Sequence, residues 1–374
     1  MNILLVTHYY YPHIGGIEVV AYNQAKELVK KGHKVTIITS SIKDEKAIST
    51  HVGIRVIRIK AVNFLETKYN IPYPIFSPKL LWVLREEVKR SDLIHAHGAI
   101  YLASLISSLF SKIYNKPFIV TEHVGFVSYK NALVNSIQKV AFATIGRITL
   151  NSCKKIFVVN KRIKKFLSHL TKTKIEYLAN GVDINLFRPV NQKQKAALRK
   201  KYDLPFKRKL VLFVGRFVQK KGVDLLIKAI TSDFDFVFVG EGRLPKNAYC
   251  HKGIFVRKPM SQRKLAEIYG ACDIFVLPSK GEGFPLVIQE AMASGLPIIT
   301  GKDNLRADHR NPELVSTIRL SVRDIQKSIR GLLKNPPLMS SMSKKVRKVA
   351  LAEFSWSYQA DLLIQTYQAI SNHE

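Results

Sequence analysis

The stretch KGEGFPLVIQEAMASGLPII occupies residues 280–299 and joins a glycine-rich loop to a short predicted helix. Pro285 has its φ preset for the first helical turn, and it lacks an N–H group that this turn could not use. Gly295 ends the predicted helix, because glycine readily adopts the left-handed conformation that follows many helices. We therefore expect Glu282 just before the helix and Glu290 about one turn inside it.

Two carboxylates thus flank the predicted start of this helix. The N–H groups of a first helical turn have no intrahelical partner, and they bind anions such as phosphate. Glu282 and Glu290 would lie on either side of that anion site. The pattern suits a ligand with hydroxyl groups at one end and phosphates in the middle, such as a nucleotide sugar. The alternative is an amphipathic helix that carries two solvated acids.

This spacing, with its GFP and its closing ASGLPI, resembles the E-x7-E motif of retaining glycosyltransferases of the GT-B fold, the family 4 or group 1 enzymes. In that family the second glutamate, here Glu290, binds the ribose hydroxyls of the donor nucleotide. The first glutamate, here Glu282, lies beside the transferred sugar and the phosphates. The resemblance also implies donor contacts from the residues that follow Glu282, namely Gly283, Phe284, Pro285 and Leu286.

Two basic residues follow a predicted buried strand in the segment LVLFVGRFVQKKGVDLL. Arg216 offers a planar fork for phosphate oxygens, and Lys221 offers a compact charge. Fixed cations of this kind stabilise the charge that develops on a leaving diphosphate. The resembling family uses G-R-x-x-x-x-K-G in this role, and Gly215, Arg216, Lys221 and Gly222 match it in full. The alternative is a solvated basic turn.

A glycine pair enters the first predicted helix in the segment THYYYPHIGGIEVV. Gly15 and Gly16 allow close approach of a ligand to the backbone and expose N–H groups to phosphate. The pattern P-x-x-G-G-x-E is similar to the N-terminal glycine loop of the same family. The resemblance implies that this loop contacts the distal phosphate or the sugar of the donor. Glu18 is expected to favour the helix start electrostatically.

A histidine stands just beyond a predicted strand in FIVTEHVGF. His123 would point into the ligand crevice at the carboxyl ends of the strands. The resemblance implies that it acts in catalysis by contacting hydroxyls of the transferred sugar and by orienting the two substrates. Many family members have Asp at the next position, whereas Val124 occurs here and Glu122 precedes the histidine. Arg257 is a candidate contact to the nucleotide base.

Two further patterns favour structural roles. His95 and His97, in DLIHAHG, are similar to a family segment near the acceptor side, where we expect them to shape a loop. Asp233 and Asp235 form a D-x-D pattern, which binds a divalent metal in a different glycosyltransferase fold. Here the pair directly precedes a predicted strand, so we expect a turn with a charge cap. No other group of residues has metal-ligand spacing, and we expect neither a metal nor another cofactor.

Short β-rich runs alternate with helical patterns along the whole chain, which predicts parallel sheets flanked by helices. The predicted strands lie near Ile3–Thr7, Val35–Thr39, Ile54–Ile59, Leu93–Ala96, Phe118–Thr121, Ile156–Val159, Glu176–Leu178, Leu210–Val214, Phe236–Val239, Ile254–Val256, Ile274–Leu277 and Pro297–Thr300. The two series predict an α/β protein with two Rossmann-like, doubly wound domains that face each other across a ligand cleft. This arrangement is the GT-B fold.

The domain boundaries follow from the same patterns. Residues 1–185 form the predicted acceptor-side domain, and residues 186–355 form the predicted domain for the nucleotide-sugar donor. Residues 186–205 are polar, basic and bounded by prolines, so we place the interdomain link there. Residues 356–374 form an amphipathic helix, and the resemblance implies that it crosses back onto the first domain.

The composition gives a net charge of +33, from 60 Lys and Arg against 27 Asp and Glu. Such a field attracts lipid headgroups, nucleic acids or phosphorylated substrates. In residues 158–174, Ile163, Phe166, Leu167 and Leu170 recur at helical spacing, with Lys161, Arg162, Lys164 and Lys165 on the flanks. This basic amphipathic helix has two interpretations. Either it binds an anionic membrane surface, or its apolar stripe faces the protein core.

The sequence gives few indications of the cellular compartment of the protein. Three widely spaced cysteines predict a reducing compartment rather than a disulfide framework. No apolar run is long enough to predict a transmembrane helix, and the N-terminus lacks the basic region of a signal peptide. We therefore expect a cytoplasmic protein, with peripheral contact to the inner face of the membrane as a further hypothesis.

The resemblance predicts an enzyme of the hexosyltransferase class. It would transfer a sugar from a nucleotide-diphosphate sugar to a hydroxyl group, with retention at the anomeric carbon and without a metal. The acceptor would be a sugar, a lipid-linked molecule or another alcohol, and the positive charge favours an anionic one. The alternatives are a nucleotide-sugar epimerase or sugar phosphorylase of the same fold and, more remotely, a basic nucleic-acid-binding protein without catalytic activity. No nucleic-acid-binding motif occurs, so we expect no such partner.

Overall fold

A computed structural model of the chain describes residues 1–13, 15–41, 45–69, 71–126, 131–249, 251–279, 285–304 and 314–371. The backbone forms two compact units. The first unit contains Met1–Asn180 together with the C-terminal stretch that begins at Trp356, and the second contains Gly181–Ser355. No helix among the described residues is both long enough and apolar enough to cross a lipid bilayer.

The first unit alternates strands and helices. Its elements in chain order are β1 (Asn2–Val6), α1 (Gly16–Lys30), β2 (Lys34–Ser41), β3 (Ile48–His51), β4 (Ile54–Val62), α2 (Phe64–Tyr69), β5 (Ile75–Phe76), α3 (Lys79–Arg90), β6 (Leu93–His97), α4 (Leu102–Ile113), β7 (Phe118–Glu122), α5 (Ala132–Ala141), a π-helical turn (Phe142–Gly146), α6 (Arg147–Asn151), β8 (Lys155–Val158), α7 (Lys161–Leu167) and β9 (Ile175–Tyr177). The continuous apolar runs Ile3–Val6 in β1 and Phe118–Val120 in β7 are typical of strands with both faces covered.

The sheet of this unit has the strand order β3-β4-β2-β1-β6-β7-β8-β9 within the described residues, and β5 pairs with β4. All pairs are parallel except β3–β4 and β4–β5. Residues of α1, such as Ala21 and Ala25, pack on one face. Residues of α3, α4, α6 and α7, such as Leu84 and Leu150, pack on the other. The direction of the strand order reverses between β1 and β6, which is where a doubly wound sheet binds ligands.

The second unit repeats this plan. Its elements are α8 (Gln192–Lys201), β10 (Leu210–Val214), a 3₁₀ turn (Gln219–Lys221), α9 (Val223–Lys228), β11 (Asp235–Val239), α10 (Lys246–Tyr249), β12 (Ile254–Arg257), α11 (Gln262–Ala271), β13 (Ile274–Leu277), α12 (Leu286–Ala293), β14 (Ile298–Gly301), a second 3₁₀ turn (Lys302–Asn304), β15 (Ser316–Ile318), α13 (Val322–Leu333) and α14 (Pro336–Glu353). The strand order is β12-β11-β10-β13-β14-β15 and every described pair is parallel. The order reverses between β10 and β13.

The segment that sequence reasoning assigned to the interdomain link contains α8. Asn191 and Gln194 form a reciprocal capping box at its start. Within the second unit, Arg199 donates to Asp273 at 2.7 Å, and Lys195 lies 3.0 Å from the same carboxylate. The charged, polar composition that predicted a linker therefore belongs to a capped helix, because its long cations reach a partly buried acid on the loop between α11 and β13.

The last helix is α15 (Trp356–Ser371), which packs on α1 of the first unit, as predicted. Lys31 and Asp361 form an ion pair of 2.7 Å at the edge of this contact. At its centre, the Tyr367 hydroxyl lies 2.6 Å from Nδ1 of His95, and Nε2 of His95 lies 2.7 Å from the Thr121 hydroxyl. All three side chains are buried, and burial lowers the pKa of His95 to about 3.

We expect Tyr367→Phe to lower the free energy of unfolding of the first unit by about 2 kcal/mol, because Nδ1 of His95 then stays buried without a partner. Urea unfolding, followed by the fluorescence of Trp356 on the same helix, measures the change. Tyr69→Phe is the control, since the Tyr69 ring is largely exposed and its change should have little effect. Equal stability of the two variants would contradict the assigned role of this hydrogen bond.

Candidate functional site

The two signature motifs of the second unit follow adjacent strands. The segment with Gly215, Arg216 and Lys221 comes directly after β10, and the stretch 280–299 comes after β13. β10 and β13 pair in parallel at the point where the strand order reverses. The carboxyl ends of parallel strands share one edge of the sheet, so the loop after β10 and the start of α12 at Pro285 both follow strands that end at this edge, where doubly wound proteins bind ligands.

Glycines hold the loop after β10 in place. Gly222 has a φ of 75°, and a Cβ at this position would overlap the carbonyl oxygen of Pro278, the first residue after β13. A Cβ at Gly240 would overlap the carbonyl oxygen of Gly215 in the same way. These glycines therefore let the ends of β10, β11 and β13 approach one another more closely than residues with side chains would allow.

The two cations of this loop differ in their surroundings. The side chain of Lys221 is half-buried and runs back over Gly215, since its Cδ lies 3.8 Å from the position that a Gly215 Cβ would take. Arg216 is exposed, directly after Gly215 at the end of the strand. Both predicted phosphate-binding residues thus lie at the carboxyl end of β10.

Helix α12 begins at Leu286, and Pro285 is its N-cap with an extended ψ of 148°. The proline thus lies one position before the helical turn in which sequence reasoning placed it. Gly295 follows the helix with a φ of 67°, as predicted. Glu282, Gly283 and Phe284 lie outside the described residues. The candidate anion site at the start of α12 is therefore represented here by Pro285 and Leu286.

Glu290 is buried inside α12. The Tyr269 hydroxyl donates to its Oε2 at 3.0 Å, and the amide of Gln262 lies 3.5 Å from its Oε1. Burial raises the pKa of Glu290 to about 7, although both hydrogen bonds favour the charged form. The carboxylate has accepting capacity beyond these two contacts.

Three other predicted positions already have partners within the second unit. The guanidinium of Arg257 donates to the carbonyl oxygens of Tyr202 and Val256. Asp235 binds Arg208 at 2.8 Å, and Asp233 binds Arg330 at 2.7 Å. The D-x-D pattern thus forms two separate ion pairs at the start of β11, in keeping with the expected charge cap.

In the first unit, histidines gather where β6 and β7 end. Nδ1 of His97 lies 2.9 Å from Nε2 of His123, with the two rings stacked. His95 and His97 alternate along β6 and their rings stack at 5.1 Å, so both are strand residues rather than the loop residues expected. Burial lowers the pKa of His123 to about 4, and the cluster is neutral at pH 7. Neutral rings both donate and accept hydrogen bonds, which suits sugar hydroxyls.

Glu122, the residue before His123, binds the backbone on both sides of this cluster. Its carboxylate accepts from the amide groups of Ala99 at 2.8 Å and Val124 at 3.2 Å. Burial raises its pKa to about 7, against the opposing effect of the amide donors. The residue before His123 thus holds the two loops that follow β6 and β7.

The glycine loop after β1 is tied to a charged network. His13 lies 2.6 Å from Glu18 and 3.2 Å from Glu66, and its pKa is raised chiefly by the hydrogen bond to Glu18. A Cβ at Gly15 would overlap the Glu18 carboxylate, whereas a Cβ at Gly16 would meet nothing within 4 Å. Glu18 thus does more than favour the helix start, because it also fixes His13 beside the loop.

This difference between the glycines gives a test of the loop. We expect Gly16→Ala to fold normally and to raise the KM for the donor about tenfold, because the added methyl group would occupy space reserved for the ligand. Steady-state kinetics and circular dichroism measure the two effects. Gly15→Ala is the comparison, since it should also disturb the Glu18 carboxylate and lower thermal stability. A Gly16→Ala enzyme with unchanged KM would remove Gly16 from the donor site.

Two family profiles match the chain. The profile described as Glycosyltransferase Family 4 matches residues 14–186, and the profile described as Glycosyl transferases group 1 matches residues 194–349. Together they span most of the chain. The chain belongs to this glycosyltransferase family. Family 4 transferases move a sugar from a nucleotide sugar with retention of anomeric configuration, and this chain is accordingly a retaining glycosyltransferase that uses a nucleotide sugar.

Individual glycosyltransferases are also similar to this chain. The transferase is 28% identical to an uncharacterized glycosyltransferase of Methanocaldococcus jannaschii, with 99% of each chain covered. It is also 28% identical to D-inositol 3-phosphate glycosyltransferase of Corynebacterium glutamicum, over 77% of this chain and 75% of the relative. Sucrose-phosphate synthase of Thermosynechococcus elongatus superposes on it with a TM-score of 0.79 at 19% identity, with all of both chains covered. This likeness shows the shared GT-B fold.

Sequence reasoning about the transferase did not assign a functional role to His8 or to the tyrosines that stack near it, Tyr101 and Tyr73. His8 follows β1, is buried, and stacks on Tyr101 at 3.8 Å. The ring of Tyr73 also stacks with that of Tyr101, at 5.6 Å between centroids. The available signal was the position of His8 two residues after β1, close to the carboxyl end of the strand, as His123 is close to that of β7.

Proposed function

We propose that this transferase moves a sugar from a nucleotide-diphosphate sugar to a hydroxyl group of an anionic or lipid-linked acceptor, without a metal ion. The observation that carries the proposal is that the two motifs predicted to bind the donor directly follow the adjacent strands β10 and β13. Residues 186–355 would form the donor domain, and residues 1–185 the acceptor-side domain.

The proposed binding of the donor follows from the chemistry of the residues of the second unit. Glu290 would accept hydrogen bonds from the ribose hydroxyls, because its carboxylate is fixed by Tyr269 and retains free accepting capacity. The first turn of α12, at Pro285 and Leu286, would bind the diphosphate. Gly283, Phe284 and Glu282 would complete this end of the site, as the family resemblance implies, and Arg257 would lie near the base.

Chemistry would then proceed on one face of the sugar. The bond from the anomeric carbon to the diphosphate breaks, and the acceptor oxygen forms its bond to the same face. The acceptor proton passes to an oxygen of the leaving diphosphate. Arg216 and Lys221 would stabilise the negative charge on that group, which is the role otherwise filled by a divalent metal.

The remaining roles concern the sugar and the glycine loop. His123 would bind the hydroxyls of the transferred sugar as a neutral ring. Glu282 would stabilise the positive charge that develops at the anomeric carbon, and Gly15 and Gly16 would contact the distal phosphate or the sugar. These roles follow the family resemblance, and the positions of His123 and the glycines after β7 and β1 support them.

The net charge of +33 supports an anionic acceptor. The corynebacterial relative, whose name states that it acts on D-inositol 3-phosphate, is a precedent for a phosphorylated one. Cys153 and Cys272 are buried free thiols, which supports a reducing compartment such as the cytoplasm.

Calorimetric titration with a panel of nucleotide-diphosphate sugars, with and without EDTA, tests the donor half. We expect micromolar binding of one of them that EDTA leaves unchanged. The affinity should rise as the pH increases from 6 to 8, because the Glu290 pKa near 7 makes the carboxylate a stronger acceptor as it loses its proton. A diphosphate that carries a sugar has no group that titrates in this range.

Glu290→Gln is the matched control, since it keeps the size of the side chain and cannot titrate. It should bind about a hundredfold more weakly at pH 8, where Glu290 of the wild type is charged, and its affinity should rise less between pH 6 and pH 8. Wild-type affinity in Glu290→Gln, or loss of binding with EDTA, would contradict the proposal. Sugar transfer to free phosphate, or epimerisation without an alcohol, would assign the site to a phosphorylase or an epimerase instead.

A further inference from the structure

An apolar stripe is exposed along the helical segment from α5 through the π-helical turn to α6. Leu133, Ile137 and Val140 on α5 are 67%, 60% and 61% exposed, and Ile148 on α6 is 47% exposed. They recur at helical spacing, so they share one side of the segment. No residue of α5 is buried, although the helix is amphipathic and capped by Asn131.

The other side of the same segment is packed. Phe142, Thr149 and Leu150 are buried, and Phe142 and Leu150 belong to the core beneath the sheet. The segment therefore has two apolar sides, one against the core and one towards solvent. Packing of the core needs only the first, and an exposed apolar stripe of this size is typical of a surface that binds a partner.

The neighbouring helix α7 packs against the core side of the same segment. Its Phe166 packs edge-to-face on Phe142 at 4.8 Å. Ile163 and Leu167 of α7 are buried in the core, so the apolar residues of this helix do not form a membrane-binding face. Its cations Lys161, Arg162 and Lys165 are exposed, whereas the Lys164 Nζ lies over the Tyr177 ring at 5.0 Å. The exposed apolar residues that sequence reasoning sought on α7 thus occur on α5 and α6, which also carry the exposed cations Lys139 and Arg147.

The charge around the stripe distinguishes between two possible partners, a second copy of the chain and a lipid surface. No aspartate or glutamate occurs between Glu122 and Glu176. The exposed cations of this stretch include Lys139, Arg147, Lys154, Lys161, Arg162 and Lys165. A second copy of the chain would bring the same positive charges together, whereas an anionic lipid surface would neutralise them.

We propose that the α5–α6 stripe, together with the exposed cations Lys139 and Arg147 of the same segment, binds the surface of a bilayer that contains anionic lipid. The exposed leucine, isoleucine and valine side chains enter the boundary between headgroups and acyl chains, and the lysines and arginines contact the phosphates. This interaction goes beyond the proposed function, because vesicle binding requires neither donor nor acceptor.

Sedimentation with vesicles of phosphatidylcholine, with and without phosphatidylglycerol, tests the proposal on the full chain. We expect binding to the mixed vesicles only. Ile137→Ser should lower the partition coefficient about tenfold. Ile48→Ser is the matched control, since Ile48 is also an isoleucine with 59% exposure but lies on β3, and it should bind like the wild type.

The charge contribution is tested separately. Lys139→Gln and Arg147→Gln should each lower the partition coefficient about fivefold, and added salt should have the same effect. Donor affinity, measured by calorimetry, should be unchanged in all these variants. Equal binding of Ile137→Ser and the wild type would overturn the proposal. Equal binding of the wild type to neutral and to mixed vesicles would also overturn it. So would a dimer in sedimentation velocity that Ile137→Ser abolishes, because the stripe would then bind a second copy of the chain.

Discussion

We expect Lys221→Ala to lower kcat about a thousandfold and to change the KM for the donor much less. The reason is that the diphosphate gains negative charge as the sugar bond breaks, so a fixed cation stabilises the transition state more than the bound donor. The half-buried position of Lys221 over Gly215 strengthens this effect, because the aliphatic part of the side chain is already held in place. Steady-state kinetics with the donor identified by calorimetry measure both constants.

Lys220→Ala is the matched control for this prediction. Lys220 is the adjacent lysine in the same 3₁₀ turn and is exposed, so its removal changes the net charge equally. We expect its kcat to stay within about twofold of the wild type, because charges in solvent interact weakly. If the two variants lost equal activity, the general positive field of the protein, rather than a placed cation, would account for catalysis.

Gly222→Ala should destabilise the second unit by about 3 kcal/mol. Its φ of 75° disfavours any residue with a Cβ, at a cost of about 1–2 kcal/mol. The new methyl group would also overlap the Pro278 carbonyl, with the Pro278 ring Cγ at 2.9 Å, so the loop after β10 must move away from β13. Hydrogen exchange of the β10 and β13 amides measures the loss, because both tryptophans, Trp82 and Trp356, lie in the first unit.

Gly331→Ala is the control for the same unit. Gly331 lies in α13, and a Cβ there would meet nothing within 4 Å. We expect this change to raise the stability of the unit by about 0.5–1 kcal/mol, as alanine does in an exposed helix. Normal amide protection in Gly222→Ala would show that the loop adapts without cost, and would weaken the account of why both donor motifs lie at one sheet edge.

Most strands could be predicted because they are continuous apolar runs bounded by turn residues. The strands that sequence reasoning did not predict are β3, β5 and β15. Each is short, and β3 and β15 lie at sheet edges where a strand needs few apolar residues. β5 has two residues, a length at which hydrophobic periodicity carries no information.

The positions of the predicted donor motifs in the fold could be foreseen because each is a local pattern at the end of one strand, whereas their role in donor binding stays a prediction. Their local spacing places Arg216 and Lys221 after β10, and Glu290 inside α12. The interactions that tune these groups could not be predicted. Tyr269 reaches Glu290 from α11, and His97 reaches His123 from a neighbouring strand, so both contacts depend on how elements distant in sequence pack.

The sequence alone determined the family, the two doubly wound sheets and the strand ends that carry the donor motifs, because these depend on periodicity and local spacing. The tertiary structure decided which apolar stripe is covered. α5 and α7 both alternate apolar and polar residues at helical spacing, yet Ile163 of α7 is buried and Ile137 of α5 is exposed. Amphipathic sequence specifies that a helix has an apolar side, whereas only the packing of its neighbours decides whether that side meets the core or the solvent.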